Sequence, residues 1–455
     1  MPQNKNKSLI TIIKRQTKEI LGLAVPTVLS RAGMMIMLIV DAAMVGHYSS
    51  QELAYQSIGL APMMFLLVTA FGLMNGTLVV TAFHYGSGDF VKCGPIWRRS
   101  LVYASALGVI GIFLSSFGEL FLLSTGQTAS LSKGGGEIIS ILGWSMPPML
   151  IFVASSFFLE GLKRPEAGMY IMLVGNISNI ILNWFLVFGY AGFPELGAAG
   201  SALSTVIVRI IMACTIVCYI WHLSDESTLK IRVKTNVIFK GGWQAWSKIR
   251  RIGFGGGASN AIESGAFSSM SIFAGLLGII PLSAFTIAFN MLALTFMFAL
   301  GLGSATAVCV GNAQGRKDKS GTAIAGWTGL ALTIFSMMLL GTLLAFFSNH
   351  IASGFTNDPN LIVSAAPIIA FISLVLIMDG GQSVMAHALR GCGETWVPAA
   401  LHAISYIMIM IPIAYYLSLI ANRGAMGLFE SILIASIVSL SLASMRFYYI
   451  TKVKP

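Results

Sequence analysis

Apolar residues run along this chain in long blocks separated by short polar breaks. A hydrocarbon layer about 30 Å thick takes ~20 apolar residues per helical crossing. On that criterion the pattern predicts twelve spans, near 19–44, 53–82, 97–123, 138–160, 167–190, 197–222, 249–278, 283–312, 321–347, 361–388, 396–420 and 425–450. A membrane β-barrel would instead show alternating segments of ~10 residues. The expected fold class is therefore an all-α integral membrane protein.

The pattern also repeats. The segment from Leu53 superposes on the segment from Leu282 without gaps, a shift of 229 positions. Ile58/Ile287, Gly72/Gly301, Leu73/Leu302, Thr77/Thr306, Val79/Val308, Gly86/Gly315 and Asp89/Asp318 are identical. A similar offset relates Leu159 and Gly161 to Leu389 and Gly391. The chain reads as two lobes of six spans, 1–222 and 249–455, joined by a basic linker, 223–248. Six spans return the chain to the starting side, so the lobes form a parallel repeat about an axis along the membrane normal. Transporters built this way bind substrate near mid-membrane at the repeat interface.

Composition and charge sharpen this picture. Hydrophobic residues are 56% of the 455 and charged residues 10%, where soluble domains carry about 25% charged residues. A net charge of +11 could indicate nucleic acid, but the distribution excludes that. Lysine and arginine gather before the first span, in alternate loops, in the linker and at the end, with Lys133 and Arg423 as exceptions. This positive-inside asymmetry predicts cytoplasmic termini and a multi-pass protein of the inner (plasma) membrane. The first apolar run is too long for a signal peptide, and no small-residue cleavage pattern follows it. The five cysteines lack metal spacing and imply no disulfide framework; Cys214 and Cys218 read as small core residues. No HExxH, GxSxG or phosphate-loop motif occurs, so the protein is not expected to be an enzyme or to need a bound cofactor.

Ionisable residues inside spans cost ~2.5–3.5 kcal/mol by insertion scales and mark functional sites by default. Asp41, Glu263 and Asp379 lie deep in their spans; Glu119, Glu137 and Glu430 fall near predicted ends. Arg31 is ten residues before Asp41, roughly 15 Å along a helix, too far to pair with it within one straight helix. Asn179 and Asn183 share a helix face, with Asn176 one turn before Asn179. Such amides either glue helices together or join a carboxylate in holding a hard cation such as Na⁺, and a buried carboxylate can alternatively take up a proton. Pro26 breaks the hydrogen-bond ladder of the first span and is a candidate hinge. The Gly255–Gly257 run reads as a close helix contact.

The segments "LAVPTVLSRAGMMIMLIVDAAMVGHYSSQELAYQSIG", "NISNIILNWFLVFGYAGFPELGAAGSALST", "FGGGASNAIESGAF" and "IMDGGQSVMAHALRGCGET" together resemble the MATE (multidrug and toxic compound extrusion) family, in its NorM-type branch. The resemblance covers nearly the whole chain. It implies two six-helix bundles around a V-shaped central cleft, working as a monomer. It also implies a secondary active antiporter that exports small cationic or amphipathic drugs by alternating access in exchange for Na⁺ or H⁺. Carried over by residue, Asp41, Asn179 and Asn183 match the N-lobe cation site, to which Ser201 or Thr205 adds an oxygen. Glu263 and Asp379 match the C-lobe acids that take cation or substrate. Val375 departs from the tyrosine found there in some NorM-type members, which favours the N-lobe for coupling. The alternative is a flippase for lipid-linked saccharides of the same superfamily. Such proteins need cavity cations, whereas the spans here set Arg31 and Arg209 against three deep acids.

Overall fold

In a computed structural model, residues 2–223, 225–232, 244, 246–356 and 358–452 are described. Part of the predicted linker, residues 224, 233–243 and 245, lies outside them. The described residues are helical almost throughout, with no strand. In order the helices are α1 (Pro2–Tyr48), α2 (Ser50–Gly86), α3 (Cys93–Ser115), α4 (Gly118–Ser124), α5 (Ala129–Gly143), α6 (Met146–Gly161), α7 (Glu166–Phe188), α8 (Gly197–Trp221) and α9 (Glu226–Leu229). There follow α10 (Ser247–Leu276), α11 (Ile279–Gly315), α12 (Lys319–Phe346), α13 (Ser348–Phe355), α14 (Pro359–Gly391), α15 (Trp396–Ile420) and α16 (Gly424–Thr451).

Among the described residues ten helices are long and apolar enough to cross a membrane. The pair α5 and α6, bent by 46° between them, makes an eleventh. The remaining predicted span, the seventh, 249–278, does form a helix, α10, but falls short of that standard. Its Arg250–Arg251 start and its glycines dilute the apolar run.

Local chemistry explains the ends. Asp318 caps α12, its Oδ1 accepting from Gly321 N at 2.8 Å. Pro359 opens α14, where a missing N–H costs nothing, and Gly189, at φ 71°, closes α7 in the left-handed region. Within α15 the segments Ala403–Met410 and Tyr416–Ile420 are wound as π-helix on either side of Ile411–Tyr415. Pro412, which has no N–H to donate, follows the first of these wide turns.

The helices form two compact units: residues 29–85 with 89–253, and residues 1–28, 86–88 and 254–455. They are called here the Asp41 unit and the Asp379 unit. Both α1 and α10 pass from one unit into the other, and glycines show why. In the Asp379 unit, Gly301 on α11 presses against Val28 of α1, where a Cβ would have no room. In the Asp41 unit, Gly76 on α2 faces the carbonyl of Ile249, and Gly253 faces that of Leu73. Each unit thus seats the opening turns of the other half's first helix. Gly255 likewise meets the Thr395 carbonyl, so the glycine run serves close contact as expected. Cys214 and Cys218 correct their expectation: they are exposed on α8 rather than buried.

The α7–α8 hairpin carries Asn179, Asn183 and Thr205 and also depends on a bare backbone. A Cβ on Gly200 would collide with the Leu186 carbonyl. Gly200→Val is expected to destabilise the protein by about 1–3 kcal/mol through overpacking, read as a lowered unfolding midpoint in detergent. Gly265→Ala on α10, with nothing within 4 Å of the added methyl, should leave that midpoint unchanged or raised.

Candidate functional site

In the Asp41 unit, α1, α7 and α8 bring four of the predicted residues together. Asp41 is 3% exposed, and Asn179 and Asn183 are fully buried. Asn183 Nδ2 donates to Asp41 Oδ1 at 2.6 Å and lies 3.3 Å from Asn179 Oδ1. Thr205 Oγ1 donates to the other carboxylate oxygen, Oδ2, at 3.0 Å. Both oxygens of the acid are therefore solvated by protein, which is what burial of a carboxylate demands.

A narrow cavity opens beside the acid, with room for about one water molecule. Its walls include Asp41, Gln56, Ser201, Thr205 and Arg209. Ser201 shares the cavity but accepts its hydrogen bond from Gln56 Nε2 at 3.3 Å and makes none to Asp41. Gln56 Oε1 and Asn183 Oδ1 are buried oxygens without a hydrogen-bond partner. Asn176 stands apart, its amide turned back to the Met172 carbonyl at 2.9 Å.

The Asp379 unit gathers a second polar cluster from α10, α14, α15 and α16. Asp379 Oδ1 accepts from Gln382 Nε2 (3.2 Å), Tyr406 OH (3.0 Å) and Ser436 Oγ (3.1 Å). Gln382 also reaches Glu263 Oε1 at 3.5 Å, linking the two predicted acids. Behind Glu263 stand His402, whose Nδ1 is 3.8 Å from Oε2, and Ser259, 3.0 Å from the same nitrogen. Arg390 closes the group by donating to Ser259 Oγ at 2.9 Å. The sequence pattern puts Arg390 in a cytoplasmic loop; it lies within α14 and is 3% exposed.

Arg31 does not serve Asp41. It lies 4.0 Å from Glu160 at the end of α6, with its guanidinium over the Phe157 ring at 5.7 Å. Pro26 is buried inside α1, three residues before the point where the helix changes unit.

Comparison with known proteins follows the same internal symmetry. The MatE family profile matches residues 26–185 and again residues 257–416. The chain belongs to the MatE family. "Probable multidrug resistance protein NorM" of Caulobacter vibrioides is 36% identical over 430 residues, covering 94% of this chain and 90% of that protein. The solved eukaryotic MATE transporter AtDTX14 superposes with a TM-score of 0.88 at 18% identity, covering 96% of each chain. An outward-facing multidrug resistance MATE family transporter of the MOP superfamily gives 0.86 at 19% identity, covering 96% of this chain and 97% of that one. At that identity the two structures establish a shared fold. The chain is thus a MatE-family, NorM-type membrane transporter and not an enzyme.

The MatE match covers both polar clusters only in part, and several of their members lacked any signal in the sequence. Tyr406 and Ser436 come from distant helices and carry no mark of their own in apolar segments. Gln382, by contrast, is one helical turn from Asp379, and Arg209 one turn from Thr205; helical spacing next to a buried charge flags such residues. The three-donor shell on Asp379 Oδ1 makes a checkable statement. Tyr406→Phe removes one donor and should cost about 1–3 kcal/mol of stability, measured as a lower detergent unfolding midpoint, whereas Tyr415→Phe on the same helix, at an exposed ring, should not move it.

Proposed function

We propose that this protein is a secondary active multidrug efflux antiporter, exporting small cationic, lipophilic compounds by alternating access in exchange for Na⁺ or H⁺. The observation that carries this reading is the Asp41 cavity: one buried carboxylate, the unpartnered amide oxygen of Gln56, and space for an ion but not for a drug. A drug and its driving ion need different volumes, and this one suits only the ion. Asp41, Asn179, Asn183 and Thr205 are the ion's ligands or, for a proton, its acceptor and the acceptor's hydrogen-bond shell. Ser201 acts at one remove, through Gln56.

In this reading the empty Asp41 carboxylate takes up an ion from the side where it is abundant. Neutralising the buried charge alters which arrangement of the surrounding helices is stable, and the drug leaves as the ion enters. Glu263 and Asp379 supply negative charge for the cationic drug or for a second cation. The names of the relatives do not favour a flippase of lipid-linked saccharides. The basic loops support cytoplasmic termini and residence in the plasma membrane in contact with its lipid, and a monomer suffices, since both repeats are in one chain.

Proteoliposomes holding the purified protein and a fluorescent cation test this directly, with Na⁺ and proton gradients imposed separately. One gradient should drive efflux, which identifies the ion. Asp41→Asn, nearly the same in shape but without charge, should reduce driven efflux to the leak of empty vesicles while keeping a wild-type elution profile. Undiminished efflux by that variant would remove Asp41 from the mechanism.

A further inference from the structure

Arg209 is a permanent positive charge in a cavity whose proposed task is to hold a cation, and simple ion binding does not call for it. Ser201, Thr205 and Arg209 follow one another at four-residue steps along α8, so they share one helix face, and all three line the Asp41 cavity. Thr205 already touches Asp41 at 3.0 Å. Arg209 sits one turn further, about 6 Å of helix rise, well within the reach of an arginine side chain. It is 8% exposed, and its Nη1 donates to Ser145 Oγ at 2.6 Å. Ser145, fully buried, passes a hydrogen bond on to the Leu142 carbonyl at 2.6 Å. The guanidinium and the Asp41 carboxylate thus line one cavity with opposite charges. The other walls, from Leu38, Gln56, Leu60, Ile138, Leu142, Ser201 and Ala202, carry no charge.

We propose that Arg209 is a built-in competitor of the driving ion, held on Ser145 while Asp41 carries the ion and drawn to Asp41 when the ion has left. This rests on the reading of Asp41 as the ion-binding group. A bare buried carboxylate is costly, and an arriving guanidinium removes that cost. The same charge weakens the hold on the ion, so that it can be released to the side where it is scarce. Arg209 is therefore a positioning residue that sets ion affinity without being a ligand.

The test measures driven efflux against the concentration of whichever ion drives the wild-type protein. Arg209→Gln should shift half-saturation to about tenfold lower ion concentration or further, one pH unit upward or more if the ion is H⁺, the scale of a unit charge a helical turn away. Ser145→Ala leaves the charge but removes its resting place, and should shift half-saturation the other way. Arg209→Lys should recover most of the displacement. A purely structural role would lower the rate in all three without opposite shifts. Half-saturation within twofold of wild type in Arg209→Gln, or shifts of the same sign in Arg209→Gln and Ser145→Ala, overturns the proposal. Should Arg209→Gln fail to fold, an unmoved half-saturation in Ser145→Ala overturns it equally. The Asp41→Asn variant separates the two readings: normal efflux there removes the ion site itself, whereas an inactive Asp41→Asn beside an unshifted Arg209→Gln removes only the competitor.

Discussion

A carboxylate inside a membrane-spanning bundle has to be solvated by the protein, and that demand organises the Asp41 unit. Asp41 cannot rely on lipid or on a charged neighbour in its own helix, so α7 brings an amide and α8 a hydroxyl, one to each oxygen. Both donors depend on the tight α7–α8 hairpin, which depends in turn on Gly189 turning left-handed and Gly200 lacking a side chain. The packing of small residues and the chemistry of the site are one problem here. Helices in lipid gain little from apolar contact with each other, so close backbone approach and polar pairs have to hold them in register.

The two units meet that demand differently on a duplicated scaffold. The position equivalent to Asp41 under the repeat shift is Met270, fully buried in an apolar core with Phe285, Ile369 and Phe429. The Asp379 unit keeps its acids on α10 and α14 instead and surrounds them with side-chain donors from two further helices. One unit holds a single acid beside a small cavity; the other holds two acids linked by Gln382 into a chain that ends at Arg390. The same family profile matches both halves, yet the buried acids fall at different positions in each.

Most helices could be read from the sequence because lipid leaves few alternatives: a long apolar run must become a helix. Asp41, Asn179 and Asn183 were legible for a related reason, since polar groups in such runs are conspicuous and four-residue spacing puts the amides on one face. Ser201 marks the limit. It lies one turn from Thr205 and faces the same cavity, yet its hydroxyl pairs with Gln56, a partner 145 residues away that no spacing marks. The Arg31–Glu160 pair was hidden for the opposite reason. The acid sits at a helix end, where solvation is the ordinary expectation, and its partner is far away in sequence. The bend between α5 and α6 also left no clear mark, because a break of two residues scarcely interrupts hydropathy.

The crossing of α1 and α10 between the units has a consequence for how such a chain can be divided. Gly301 is shaped to receive the first half's opening helix, and Gly76 to receive the second half's. Neither half could complete its own bundle alone. A single copy would have to lend its first helix to a second copy and borrow one back, as partners in an exchanged dimer do. Joining the copies end to end converts that loan between molecules into an exchange within one chain.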